Sequence, residues 1–174
     1  MHSLLMIGLL ASEECDRALA AVARLQHKRP VTDDATFERS GRIGWLPRSR
    51  STAWLFDRIE DYGRQYARRY GIEVDALDAD LQYAEYGRNQ AIDWHIDTGT
   101  PETMWRKVTI SVQLDRSNAY DGGELELVSE HRELYARGRG NAVAFSAALA
   151  HRVTRVTRGK RRVLVGWMSG PPWR

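Results

Sequence analysis

The hydrophobic period of this 174-residue chain changes near residue 79, and that change limits what it can fold into. Upstream the pattern is helical. Leu55, Ile59, Tyr62 and Tyr66 follow steps of four, three and four residues, which places them on one stripe of a helix over about 51–70 that ends at Gly71. An earlier helix is expected from Ser12 as N-cap, with Glu13, Glu14 and Asp16 where the helix dipole favours anions. It should run to about His27, with Leu19, Val22, Ala23 and Gln26 along one side and Pro30 marking its end. From Asp80 onward, short strand-like runs alternate with turn signals, near 80–86, 91–97, 106–114, 123–128, 132–136, 141–145, 151–156 and 161–168. Eight strands after two helices predict a mainly β, α+β fold. The expected form is a double-stranded β-helix, a jelly roll of two facing sheets, with the N-terminal helices packed on the major sheet. No repeat or linker divides the chain, so one domain is expected, with helical support over about 1–78 and the jelly-roll core over about 79–168.

The chemistry concentrates in that second half. His95 and Asp97 are two apart, so on a strand both side chains project to one face. His151 follows 56 residues after His95, inside another β-rich segment. Two imidazoles and one carboxylate on one side of an ion, with the other side open, form the facial triad of non-haem Fe(II) oxygenases. Arg161 comes ten residues after His151 and would place a fixed cation near the metal, where a carboxylate-bearing co-substrate can be held bidentately. A bare His-x-Asp is common by chance. The ordered set of His-x-Asp, a glycine-rich turn, a second His, an Arg ten residues on and Trp167 closing the strand is far more specific.

At these residues the chain resembles the 2-oxoglutarate- and Fe(II)-dependent oxygenases, in particular their prolyl-4-hydroxylase-like branch. The matching stretches are Tyr83–Gly87, Trp94–Asp97, Tyr120–Leu125 and His151–Arg161 running on to Trp167, and the similarity covers roughly residues 79–168. Arg155 departs from the proline that many relatives carry there. The resemblance implies Fe(II) held by His95, Asp97 and His151, with 2-oxoglutarate and O2 as co-substrates and ascorbate in a supporting role. It further implies that 2-oxoglutarate chelates the iron while Arg161 binds its far carboxylate, and that a ferryl oxidant then hydroxylates a substrate, releasing succinate and CO2. Asp97 argues for hydroxylation over halogenation, because the related halogenases leave the carboxylate's position to chloride. By the same resemblance Tyr86 would hydrogen-bond co-substrate or substrate, the alternative being a packed aromatic with a wet hydroxyl, and Gln113 would assist with the far carboxylate.

Strand alternation then fixes facing. Val108, Ile110, Val112 and Leu114 share one face of their strand, and Thr109, Ser111 and Gln113 the other. The polar face would sit in water on a half-exposed strand. By analogy with a jelly-roll oxygenase, whose helices cover one sheet, the apolar face instead packs on the helices and the polar face lines the cavity, which is the preferred reading. On the last strand, Arg161, Val163, Val165 and Trp167 would face that cavity, opposite Arg162, Leu164 and Met168. Residues 31–50, with Gly41, Gly44, Trp45 and Pro47 and short strand-like pieces around 35–39 and 42–46, read either as a connector or as a flap over the site. With the turn 98–106 and Trp105 they form the expected substrate rim, the alternative being that both tryptophans plug the loops. Gly122-Gly123 reads as a tight turn, and His2, His27 and His131 receive no ligand role.

Composition sets bounds on function. A net charge of +3, scattered and carried mostly by arginine, argues against nucleic acid as a partner. No apolar run approaches a membrane span, and the stretch 3–11 lacks a basic flank, so it reads as a buried first strand leading into the helix of a cytoplasmic protein. Cys15, the sole cysteine, excludes an intrachain disulfide and a thiolate cluster. The expected partner is a peptidyl, amino-acid or small-molecule substrate. The alternatives are a non-catalytic, cupin-like metal-binding jelly roll, a nucleic-acid demethylase and a zinc hydrolase. The demethylase would need a differently spaced arginine pair, and neither of the others gives Arg161 a role.

Overall fold

A computed structural model describes residues 3–26, 28, 38–128, 133–134 and 137–172. Its larger sheet is antiparallel throughout. In spatial order it contains β1 (Ser3–Met6), β10 (Ala142–Ser146), β6 (Arg106–Gln113), β13 (Arg161–Ser169), β4 (Asp80–Tyr86) and β2 (Arg42–Pro47), with β3 (Ala76–Leu77) also pairing with β13. The smaller sheet runs β5 (Ile92–His95), β11 (His151–Val153), β8 (Leu125–Leu127) and β9 (Glu133–Leu134). A two-stranded ribbon joins β7 (Tyr120–Gly122) to β12 (Val156–Gly159). This is the jelly-roll arrangement that the strand pattern indicated.

Two apolar clusters hold the layers together. Helix α2 (Ala53–Tyr70) buries Leu55, Ile59, Tyr62 and Tyr66, the stripe expected from their spacing, against Val108, Ile110, Val112, Leu164 and Met168 on the outer face of the larger sheet. Each such aliphatic side chain withdrawn from water contributes about 1.5–3 kcal/mol. Gly71 ends the helix with a left-handed φ of 65°. The second cluster lies between the sheets, where Ala84, Tyr86, Val143, Phe145 and Val163 of the larger sheet meet Ile92, Leu125, Leu127 and Val153 of the smaller. The strand faces therefore divide as read: β6 and β13 turn one apolar face to the helices and the other to the interior between the sheets.

Several boundaries differ from the expected ones. Helix α1 (Ser12–Val22) stops well before His27, and its buried residues are Cys15, Ala18 and Val22, while Ala23 and Gln26 are exposed. Its N-cap is Ala11, whose N–H donates to Glu14 Oε2 at 2.8 Å, so Ser12 is already the first helical residue. Strand β1 is a half-buried edge, with Leu5 and Ile7 exposed; the buried pair is Leu9 and Leu10 beyond it. The expected strand 151–156 is two strands in different sheets, because the chain leaves the smaller sheet after Val153 and Thr154 N–H bonds to Glu124 O. Residues 42–47 form the regular edge strand β2 on β4, which settles that part of 31–50 as sheet; residues 31–37 lie outside the described ones. His2, His27 and His131 also lie outside them. Among the described residues no helix is long and apolar enough to cross a membrane.

Candidate metal centre and active site

Cross-strand register brings the two distant histidines together. His95 ends β5 and is the direct antiparallel partner of His151 at the start of β11, so the ring centroids stand 4.2 Å apart. Asp97 is not on the strand. The chain leaves β5 after His95, and Asp97 N–H bonds to Ala147 O at 2.9 Å, which carries its carboxylate over towards the larger sheet. The simple same-face argument for His95 and Asp97 is therefore incomplete, yet the outcome is convergence: one ligand atom from each of His95, Asp97 and His151 lies within 4.8 Å of the others.

Each of these side chains is oriented by a second partner. His95 Nδ1 meets Asp93 O at 2.7 Å, and His151 Nδ1 meets Leu149 O at 3.0 Å. A carbonyl can only accept, so each Nδ1 carries a proton and each ring turns its Nε2 inward, the edge that a metal would meet. Those Nε2 atoms stand 3.5 Å from the Asp97 carboxylate. Asp97 Oδ2 accepts the Thr109 hydroxyl at 2.7 Å and the Trp167 indole N–H at 3.0 Å. Burial alone would raise the Asp97 carboxyl, but the His95 hydrogen bond, the charges of His151 and His95 and the Thr109 hydroxyl outweigh it and hold it well below the usual carboxylate range. Burial pushes the His151 imidazole down, against the pull of Asp97, which favours the neutral, ligating form.

The triad opens into a cavity of about 220 Å³ between the two sheets. Arg161 lines it at 2% exposure, and its Nη1 is buried with no hydrogen-bond partner among the described residues. A guanidinium left in that state carries a desolvation cost that an anionic ligand would offset. Tyr86 is its cross-strand partner and holds its ring 5.8 Å below the guanidinium carbon. Burial raises the Tyr86 phenol, partly offset by Arg161 and Arg39, so it is a neutral donor. Val163, Val165 and Trp167 line the cavity with Arg161, as the alternation of the last strand required, whereas Arg162 points away and pairs with Asp115. The ten-residue offset has a physical basis. It spans β12 and the turn at Gly159, which carry the chain from the smaller sheet back to the larger.

Other expected residues are placed less simply. Thr109 and Ser111 line the cavity, but Gln113, though buried on the same face, does not. Trp45 lines it and is 44% exposed, so it stands at the mouth, while Trp105 is exposed elsewhere. Gly122 and Gly123 both have left-handed φ, and a Cβ on Gly122 would fall 2.1 Å from Arg155 O, in keeping with a turn that needs glycine. Arg155 itself ties down the ribbon by bonding Asn89 O and Glu38. Sequence reasoning gave Thr109 and Trp167 the correct face but no task, and it passed over Arg39 and Arg106, which also line the cavity. Alternation was a usable signal for the first two; for the arginines, scattered among many, there was none.

The family model for the 2OG-Fe(II) oxygenase superfamily matches residues 81–169, half of the chain. The chain belongs to that superfamily. A PKHD-type hydroxylase of Picosynechococcus sp. is 33% identical over 90 residues, covering 51% of this chain and 41% of the relative. One from Rippkaea orientalis is 30% identical over 93 residues, covering 51% and 42%. The match thus spans about two fifths of the length of these curated relatives. Among solved structures, a Pseudomonas putida prolyl-4-hydroxylase superposes with a TM-score of 0.73 at 18% identity, over 97% of this chain and 92% of its own. A prolyl hydroxylase from Trichoplax adhaerens, in complex with a hypoxia inducible factor peptide fragment, gives 0.78 at 15% identity, over 97% and 83%. At such identities these likenesses speak to the fold, and they agree on the jelly roll.

Proposed function

We propose that this protein hydroxylates a peptidyl, amino-acid or small-molecule substrate in a reaction that consumes O2 and 2-oxoglutarate and releases succinate and CO2. One observation carries the reading: a His95–Asp97–His151 ligand set shares a cavity with a buried arginine, Arg161, whose Nη1 has no partner among the described residues. The residues fit the groups that the superfamily's name implies. Two neutral imidazoles and one carboxylate suit Fe(II), and a buried, unpaired guanidinium suits a dicarboxylic co-substrate. Bound there, the iron and co-substrate supply O2 activation, coupled to oxidative decarboxylation of the co-substrate.

The chain's own residues set the stage for that chemistry. His95 and His151 offer Nε2 in fixed directions because their Nδ1 protons are held by Asp93 O and Leu149 O. Thr109 and Trp167 hold Oδ2 of Asp97, which fixes the carboxylate's rotation and keeps it ionised. Arg161 would grip the far carboxylate of the co-substrate, and the Tyr86 phenol is placed beside that grip. Phe145, Val153, Val163 and Val165 wall the cavity with hydrocarbon and keep water out. The presence of Asp97 supports hydroxylation over halogenation. A non-catalytic metal-binding role would leave the buried Arg161 without a purpose, and no observation favours it.

The test is turnover. Protein reconstituted with Fe(II) should convert 2-oxoglutarate to succinate, with slow uncoupled turnover in the absence of substrate. A protein that binds Fe(II) but never consumes 2-oxoglutarate, with or without candidate substrates, is not this enzyme.

A further inference from the structure

Three arginines line the cavity, and the co-substrate accounts for one. Besides Arg161, the wall contains Arg39 and Arg106, while among the described residues its one acid is Asp97, committed to the histidines. Arg39 is half-buried and donates from Nη2 to Gln82 Oε1 at a long 3.4 Å, and among the described residues no carboxylate pairs with it. It is held in place by its backbone bridge to Ile92, on the strand that ends in His95. Arg106 lies 3.7 Å over the Trp167 ring and pairs through Nε with Asp78 at 3.4 Å. No acceptor among the described residues meets either of its Nη atoms, so its outer edge is open to an anion.

Size also bears on the occupant. Ligand cavities typically measure about 300–1,000 Å³. The 220 Å³ here must hold the co-substrate and the reacting end of the substrate, so the rest of the substrate lies at the mouth, across Trp45. That mouth presents guanidinium forks and an indole surface. Planar, bidentate recognition by Arg suits a carboxylate particularly well.

We infer that the substrate is an anion with a carboxylate held by Arg39 and Arg106 at the cavity mouth, its body resting against Trp45 and its reactive C–H turned to the His95–Asp97–His151 centre. This rests on the oxygenase reading and narrows its substrate to carboxylic acids small enough for the mouth, amino acids among them. A neutral peptide segment would leave Arg39 without a carboxylate and Arg106 with Asp78 alone.

The protein loaded with Mn(II) and N-oxalylglycine, an inert analogue of 2-oxoglutarate, is titrated calorimetrically with a panel of small carboxylic acids, each paired with its primary amide and with a phosphate ester of similar size. Some acids should bind at least tenfold more tightly than both partners. Arg39→Gln and Arg106→Gln should each remove that preference while N-oxalylglycine affinity stays at the wild-type level; Arg39→Lys should keep part of it. A panel in which no acid outbinds its amide, a preference for phosphate esters, or an acid preference untouched by both glutamine variants overturns the inference. Failure of the underlying reading looks different: N-oxalylglycine itself would not bind.

Discussion

Trp167 donates its indole N–H to the same Asp97 oxygen, Oδ2, that accepts the Thr109 hydroxyl. Two strands of the larger sheet thus grip a carboxylate carried by chain that has just left the smaller sheet. Trp167 also lies under Arg106 and 6.1 Å from Trp45, so one indole links the metal ligand to the mouth.

Removing that donor should loosen the metal without unfolding the protein. Trp167→Phe keeps the aromatic bulk and deletes the N–H, and partners of this kind usually contribute tenfold to a hundredfold in metal affinity. Metal titrations should show Fe(II) or Mn(II) affinity falling by about that factor, with the far-ultraviolet circular dichroism unchanged. Unaltered affinity would mean that Thr109 alone holds Asp97.

The ligands themselves should behave as a unit. His151→Ala should lose retained iron and succinate formation together. In the wild type, Mn(II) at one hundred times its dissociation constant should raise stability by about 2.7 kcal/mol, read as a rise in Tm. Asp97→Ala should show no such rise. A His151→Ala protein with normal iron content would place the metal elsewhere.

Neighbouring arginines on β13 should separate binding from folding. Arg161→Ala should weaken 2-oxoglutarate by about 2–5 kcal/mol, roughly thirty- to several-thousand-fold. It should leave the ligand-free Tm little changed, since Nη1 has no partner to lose among the described residues. Arg162→Ala should do the reverse. Asp115, buried and bonded to Arg162 through both carboxylate oxygens, would lose its counter-charge at about 1–3 kcal/mol of stability, with co-substrate affinity retained. Calorimetry and thermal melts on the two variants would expose a reversed register.

The support beneath the site can be tested at Gly63. A Cβ there would lie 2.7 Å from Met168 Cγ and 3.0 Å from Ile110 Cδ1, so α2 sits as close to the sheet as glycine allows. Gly63→Val should cost about 1–3 kcal/mol, as overpacking does, and lower the denaturant midpoint. A neutral result would show that α2 can lift off the sheet without penalty.

How much of this was legible in the sequence follows from the range of the forces involved. Period-two alternation is local, so which residues of β6 and β13 share a face could be read directly, whereas the choice of inward face, and with it the turn of Arg161 and Trp167, came from analogy with the jelly-roll oxygenases. The stripe of α2, where Tyr62 and Tyr66 repeat the helical step, could also be read directly. Helix α1 misled because Ala23 and Gln26 look as suitable as Cys15 and Ala18 until the tertiary packing chooses between them. The split of 151–156 between two sheets depends on Thr154 meeting Glu124 O, a contact thirty residues away. Asp97's partners illustrate the same limit. The His-x-Asp spacing pointed to the cluster, but only the assembled sheets reveal which oxygen Thr109 and Trp167 hold.

Strand β13 carries Arg161 near one end and Trp167 near the other, on one face and six residues apart. At roughly 3.3 Å of rise per residue, their Cα atoms are separated by about 20 Å of strand, paired with β4 over Arg161–Val165 and with β6 from Val163 onward. The strand therefore works as a gauge. The proposed anchor for a diacid's far end and the brace for the Asp97 carboxylate are marks on one rigid scale, and neither can drift relative to the other without breaking ladder bonds to β4 or β6. If Arg161 holds the co-substrate as proposed, a dicarboxylate one methylene shorter or longer than 2-oxoglutarate would have to meet that scale with its own torsions, and discrimination by chain length would belong to the sheet as much as to the arginine.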